Sequence, residues 1–269
     1  MSDRERYNRL RKRVKIVRVF FVIGLITTLM VIGLPIVLIC ISMLGKLNEE
    51  MKVLYKKIFV EDELKKTFEN VDYKSNKGFS RNEITSFGLC KEGNTYKSED
   101  YLSASYKGVP FKIADVTVDH VDDNTARTYF RGRMMCLDIL DKKIAHVQVY
   151  SKAYKHRPES GILNSDSKVE LESIRFNELF DLYTEIQQDA FYFLTPLLID
   201  KLVQLQDKCE SILINVKDGR VMIGLIEKFN NAFDSNALGS LSDEQEIAKV
   251  HKDIEDITNI ISVIVFGEL

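Results

Sequence analysis

The 269 residues hold no CxxC pair, no HxH or HExxH, no GxxxxGK[ST], no GxGxxG and no GxSxG. Metal binding, phosphate cradling and serine hydrolysis therefore have no local motif behind them. A Ser/His/Asp or Cys/His arrangement could still assemble in space, because triads are spatial. No cofactor is implied. Cysteines number only four, Cys40, Cys90, Cys136 and Cys209, far apart in the chain. So few in a chain this long exclude a disulfide framework and read as buried, idle thiols. Net charge is also small, at −2. Nothing in that balance calls for nucleic acid. At 45% hydrophobic and 29% charged residues the composition is globular.

Charge is present but uneven. Eight basic residues lie between Arg4 and Arg18 (Arg4, Arg6, Arg9, Arg11, Lys12, Arg13, Lys15, Arg18), against Asp3 and Glu5. An uncharged run follows, from Val19 to Leu44. A spanning helix needs about 20 apolar residues, and two need about 40. The run predicts one transmembrane helix over residues 19–44, with a re-entrant loop as the alternative. It is too long for a signal peptide and lacks a small-residue cleavage site, so it reads as an uncleaved anchor. The basic tail, residues 1–18, predicts a cytoplasmic N-terminus for a single-pass protein of the cell membrane, which puts the rest of the chain outside. That tail can also meet anionic headgroups of the lipid bilayer.

Leu47, Met51, Leu54 and Ile58 share a helical face that Leu64 and Phe68 continue. They predict a helical neck over residues 45–70. Residues 71–269 then read as one α+β domain with an antiparallel sheet and two longer helices. Ser80 and Glu83 form a capping-box pattern. Lys107-Gly108 and Asp218-Gly219 each separate β-rich runs, as hairpin turns do. "TARTYFRGRMMCLDIL" and "AHVQVYS" are expected to pair through Asp141–Lys143. "IRFNELFDLYT" reads as a short helix and then an extended piece, with Glu178 and Asp181 on the solvated side. Thr195-Pro196 marks a helix start. The last helix, capped by Ser242 with Gln245 three residues on, carries a seam of Ile247, Val250, Ile254, Ile257, Ile261 and Ile264. The seam suits core packing, or self-association as a homo-oligomer.

"YKKIF", "SEDYLSASYKGVPFKIADV", "FRGRMMCLDI", "VELESIRFNELFDLY" and "DAFYFLTPLLIDKLVQL" occur in the order and at about the spacing of one bacterial family. Over about residues 50–235 the chain resembles DUF3137, uncharacterised membrane-anchored proteins. Its most specific pieces are Phe130-Arg131-Gly132 and Leu194-Thr195-Pro196. In the family an arginine commonly precedes the tyrosine ahead of the second piece, and that place is Phe191 here. The resemblance implies a LemA-like membrane protein as partner and brings no established activity.

Candidate binding residues are few. Glu99-Asp100 offers an acid pair or cation site, although neighbours on a strand face opposite ways. Arg131 and Arg133 share a strand face, where they could hold a phosphate or lipid headgroup. They could equally pair across strands with Glu170 and Glu172. The sequence thus supports a membrane-anchored interaction module first, a lipid- or anion-binding domain second, and an unrecognised hydrolase or transferase third.

Overall fold

A computed structural model describes residues 2–27, 33–123, 125–138, 144, 146–159, 162–163, 165–227 and 243–266. The chain divides into two compact units, one from Met1–Lys66 with Phe233–Asp253, the other from Thr67–Ala232 with Ile254–Leu269.

The first unit is helical. Helix α1 (Asp3–Thr27) and helix α2 (Gly33–Tyr55) pack as an antiparallel hairpin. A π-helical turn (Lys56–Val60) and α3 (Glu61–Thr67) continue α2. Tyr7, Leu10, Val14 and Val17 are buried on α1 at spacings of three, four and three. Across from them, Cys40, Met51 and Leu54 are buried and Leu44 and Leu47 half-buried. This is the a/d pattern by which two helices interlock. The open end of the hairpin is tied by ion pairs, Lys57 to Asp3 at 2.7 Å and Arg6 to Glu50 at 3.6 Å. At the other end Gly24 lets the helices close up, since a Cβ there would lie 3.1 Å from Val37 Cγ2.

The single helix expected over residues 19–44 is therefore not what forms. Its described residues belong to two helices, each apolar only in the half nearer the connection, and the chain reverses between them. Among the described residues no helix is long and apolar enough to cross a membrane.

The second unit is built on one antiparallel sheet. Its strands are β1 (Glu69–Lys74), β2 (Thr95–Tyr106), β3 (Val109–Val121), β4 (Ala126–Asp138), β5 (Val147–Ser151), β6 (Lys168–Val169), β7 (Phe180–Thr184), β8 (Cys209–Lys217) and β9 (Arg220–Glu227). They lie in the order β1-β2-β3-β4-β9-β8-β5-β7-β6. Helices α4 (Arg81–Ser86), α5 (Ile174–Leu179), α6 (Gln187–Phe193) and α7 (Pro196–Lys208) complete the unit with the last turns of α8 (Asp243–Ile261). The α+β class with an antiparallel sheet is thus as expected.

Local signals act as their chemistry dictates. Ser80 and Glu83 complete a capping box at α4, and Thr195 Oγ1 accepts from Leu198 N–H ahead of Pro196. Lys107-Gly108 and Asp218-Gly219 turn with positive φ at both residues. Long-range pairing departs from expectation. Strand β4 pairs with β3 and β9, and β5 with β7 and β8, so β4 and β5 are not partners. The Asp141–Lys143 connection and the Ser242 cap lie outside the described residues. The seam is buried within the chain at Val250, Ile254, Ile257 and Ile261 on α8 and at Ile264 in the π-helical turn after it (Ser262–Phe266), while Ile247 is half-buried.

One face of the central strands packs Ala114, Val116, Val118, Phe130, Met134 and Met222 against Phe79, Ile84, Phe87 and Leu89. On the opposite face, β3 and β4 change character along their length. Phe111, Ile113, Met135 and Leu137 are buried there, and Asp115, Thr117, Asp119, Arg131 and Arg133 follow in register.

Candidate functional sites

Period two places Arg131 and Arg133 side by side on β4, opposite Thr117 and Asp115 of β3. Arg131 is exposed and lines an open polar concavity with Lys97, Glu99, Asp115, Thr117 and Asp119. Arg133 is buried, its Nε 3.8 Å from Asp115 Oδ1. The nearby carboxylates make this a mixed-charge face rather than a bare anion cradle. Glu170 and Glu172 are not across from these arginines. They follow the two-residue β6 at the far edge of the sheet, with β9, β8, β5 and β7 intervening. Glu172 instead edges a shallow hollow with Leu171, Phe191, Leu194 and Pro196.

Nor do Glu99 and Asp100 converge as an acid pair, since Glu99 is exposed and Asp100 is buried. The β2–β3 register slips between Glu99 and Leu102, and Asp100 takes φ 60° at the bulge. This turns Asp100 inward, where it is buried and accepts from Tyr73 Oη at 2.7 Å. A bulge that re-aims one side chain was not readable from alternation alone. The four candidates thus do not form one site.

Asp181 is a second correction. It sits on β7 rather than on a solvated helix face, and it is buried between Arg157 Nη2 and Lys168 Nζ, each 2.8 Å away. Burial alone would raise its carboxyl, but Lys168 and Arg157 outweigh it and hold the group below its ordinary value. A depressed folded-state value gives stability that is present above the unfolded carboxylate pKa and lost as pH falls through the folded one. The acid limb of a melting-temperature profile should therefore steepen below pH of about 4. Asp181→Asn should flatten that limb and cost about 2 kcal/mol at neutral pH, less than a fully buried pair because Lys168 is half in water. An unchanged acid limb would show that the cluster contributes nothing.

The thiols offer no nucleophile. All four are free and buried, and burial pushes Cys90 up to about 12 and Cys136 up to about 11. Among the described residues no group of three or more His, Cys, Asp or Glu side chains could hold a metal ion.

The feature that sequence reasoning held only as its alternative, a re-entrant loop, is the closed end of the α1–α2 hairpin. Val19, Phe20, Val22, Ile23, Leu25 and Ile26 on α1 are exposed. So are Leu34, Ile36, Leu38, Ile39 and Ile41 on α2, with Leu38 at 60%. Exposed apolar side chains thus surround this end on both helices. Just below them Arg11, Lys12, Arg13, Lys15 and Arg18 form a basic collar on α1. The pointer was Gly33 and Pro35, which suit a helix start as well as a kink; Pro35 lies in the first turn of α2, where its missing N–H costs nothing.

Comparison with known proteins gives one family. Residues 128–264, just over half of the chain, match the family described as "Protein of unknown function (DUF3137)". The match begins in β4 and runs through α8, later at both ends than the quoted motifs suggest. No significant match is found among curated proteins. The crystal structure of the mycobacterial trehalose monomycolate transport factor A, TtfA, is similar at 9% identity and a TM-score of 0.38, over 78% of this chain and 93% of that one. The chain belongs to the DUF3137 family.

Proposed function

We propose that this protein is a membrane-tethered interaction module, held at a bilayer by the closed end of its hairpin and presenting the sheet unit to a protein partner. The observation that carries the reading is the exposed apolar shell of that end, set above a basic collar. A soluble monomer rarely exposes so large a contiguous apolar patch. The collar adds about 1 kcal/mol per basic residue near anionic headgroups. On the sheet unit Ile186, Phe191 and Tyr192 on and beside α6 are exposed, as apolar residues that seat a partner would be. A LemA-like membrane protein is the partner that the family resemblance implies.

Flotation of the purified full chain with vesicles rich in anionic lipid, whose surface charge a basic collar senses, tests the tether. Co-flotation that weakens on neutral vesicles is expected. A chain that stays at the bottom of both gradients would overturn the proposal.

A further inference from the structure

We infer that the hairpin enters one leaflet and turns back within it, leaving the N-terminus and the sheet unit on the same side of the membrane, at the anionic headgroups. This rests on the tethering reading and goes beyond it, because a tether alone leaves the side open.

Length carries the first part. Beyond Arg18, α1 runs nine residues to Thr27, about 14 Å at 1.5 Å per residue. The hydrocarbon core is about 30 Å thick, so one leaflet is about 15 Å. The stretch of α2 packed at that level, Gly33 to Ile41, is about 12 Å long. Both legs match a single leaflet and fall well short of a crossing.

Direction carries the second part. The ion pairs Lys57–Asp3 and Arg6–Glu50 hold the far ends of the two legs together. Gly24 meets Val37 near the turn. A chain entering along α1 therefore leaves along α2 at the face where it entered. Among the described residues no other helix could cross, so the chain beyond α2 stays on that side.

Charge carries the third part. The collar lies on the entry side, and the last of its members, Arg18, bounds the uncharged stretch of α1. The exposed shell carries no charge from Val19 to Ile26 or from Leu34 to Ile41. A segment that surfaced on the far side would gain nothing there from such residues.

Impermeant maleimide labelling of the full chain in sealed, inverted bacterial membrane vesicles tests the inference, because the native thiols are buried. The probes are Ser2→Cys, Glu178→Cys and Leu34→Cys, all at exposed positions. Vesicles are first washed with carbonate to confirm that the chain is retained. The expected result is retention, equal labelling of the Ser2 and Glu178 variants without detergent, and labelling of the Leu34 variant only after detergent. Opposite accessibility of the Ser2 and Glu178 variants would overturn the inference in favour of a single crossing. So would labelling of the Leu34 variant from right-side-out vesicles, which would mean a full-depth hairpin. Both outcomes leave the tether standing. Loss of the chain in the wash would remove tether and inference together.

Discussion

Val22→Asp combined with Leu38→Asp is expected to strip the chain from vesicles, lowering the bound fraction by roughly a thousandfold in partition coefficient. A carboxylate costs about 2.5–3.5 kcal/mol at the centre of a membrane helix, and less near the interface. Two at this depth sum to about 4 kcal/mol, which is about three powers of ten. Both side chains are exposed, one on each leg, so neither substitution opens the seam of Tyr7, Leu10, Val14 and Val17. The helical signal in circular dichroism should stay as it is, which separates loss of binding from loss of fold. Val22→Leu with Leu38→Ile should bind as the parent does. If the double aspartate variant floats as well as the parent, the apolar end of the hairpin is not the tether.

Gly132→Ala is expected to lower the stability of the sheet unit strongly. A Cβ at Gly132 would stand 2.0 Å from the carbonyl oxygen of Leu225 and 3.1 Å from the Ile226 Cα. Those are backbone atoms of β9, so no rotamer change relieves the overlap. The neighbouring strand itself must move, in the middle of the order β3-β4-β9-β8. Overpacking of this kind costs about 3 kcal/mol. For a unit of this size that is a fall in melting temperature of about 6–12 °C. Gly45→Ala is the matched control. It lies in α2 with nothing within 4 Å of its Cβ position, so it should be neutral or stabilising by up to about 1 kcal/mol. Equal melting temperatures for Gly132→Ala and the parent would show that β9 yields without cost.

Gly132 also accounts for one of the two motifs that identify the family. The Phe130-Arg131-Gly132 triplet puts a buried aromatic into the core, an exposed arginine on the polar face, and a residue without side chain against the next strand. Leu194-Thr195-Pro196 is explained by the cap of α7. Neither motif needs a ligand to explain it.

What the sequence made legible was local. The capping box at Ser80, the Thr195-Pro196 start and the two turns all depend on residues within three or four positions of one another. Their geometry is fixed by backbone sterics and short hydrogen bonds. What escaped was non-local or depended on one inserted residue. Strand β4 was paired with its successor in sequence, whereas the neighbour it meets, β9, begins at Arg220. The register slip at Asp100 reverses which way one carboxylate faces, and alternation carries no mark of it. Asp181 looked like a residue of a helix surface because the preceding turn is helical through Leu179; the strand begins one residue before it, at Phe180. In the run from Val19 to Leu44, composition set the total of apolar residues but not the reversal, since one long rod and two short legs share it.

The sheet order has a consequence for how the chain comes to be folded. Strands β1 to β4 are neighbours in sequence and pair in sequence, so that meander can form as soon as Asp138 is made. Its open side is then the backbone edge of β4 along Arg133–Asp138, which has no strand to pair with. Strand β5 likewise waits for β8. Only the β8–β9 hairpin, closed at Asp218-Gly219, fills both vacancies at once. Until residues 209–227 have emerged from synthesis, two hydrophobic strand edges stand open, the state in which chains associate wrongly. A ribosome that stalls shortly before Cys209 therefore releases a product with a sticky half-sheet, whereas one that stalls after Glu227 releases a sheet whose order is complete.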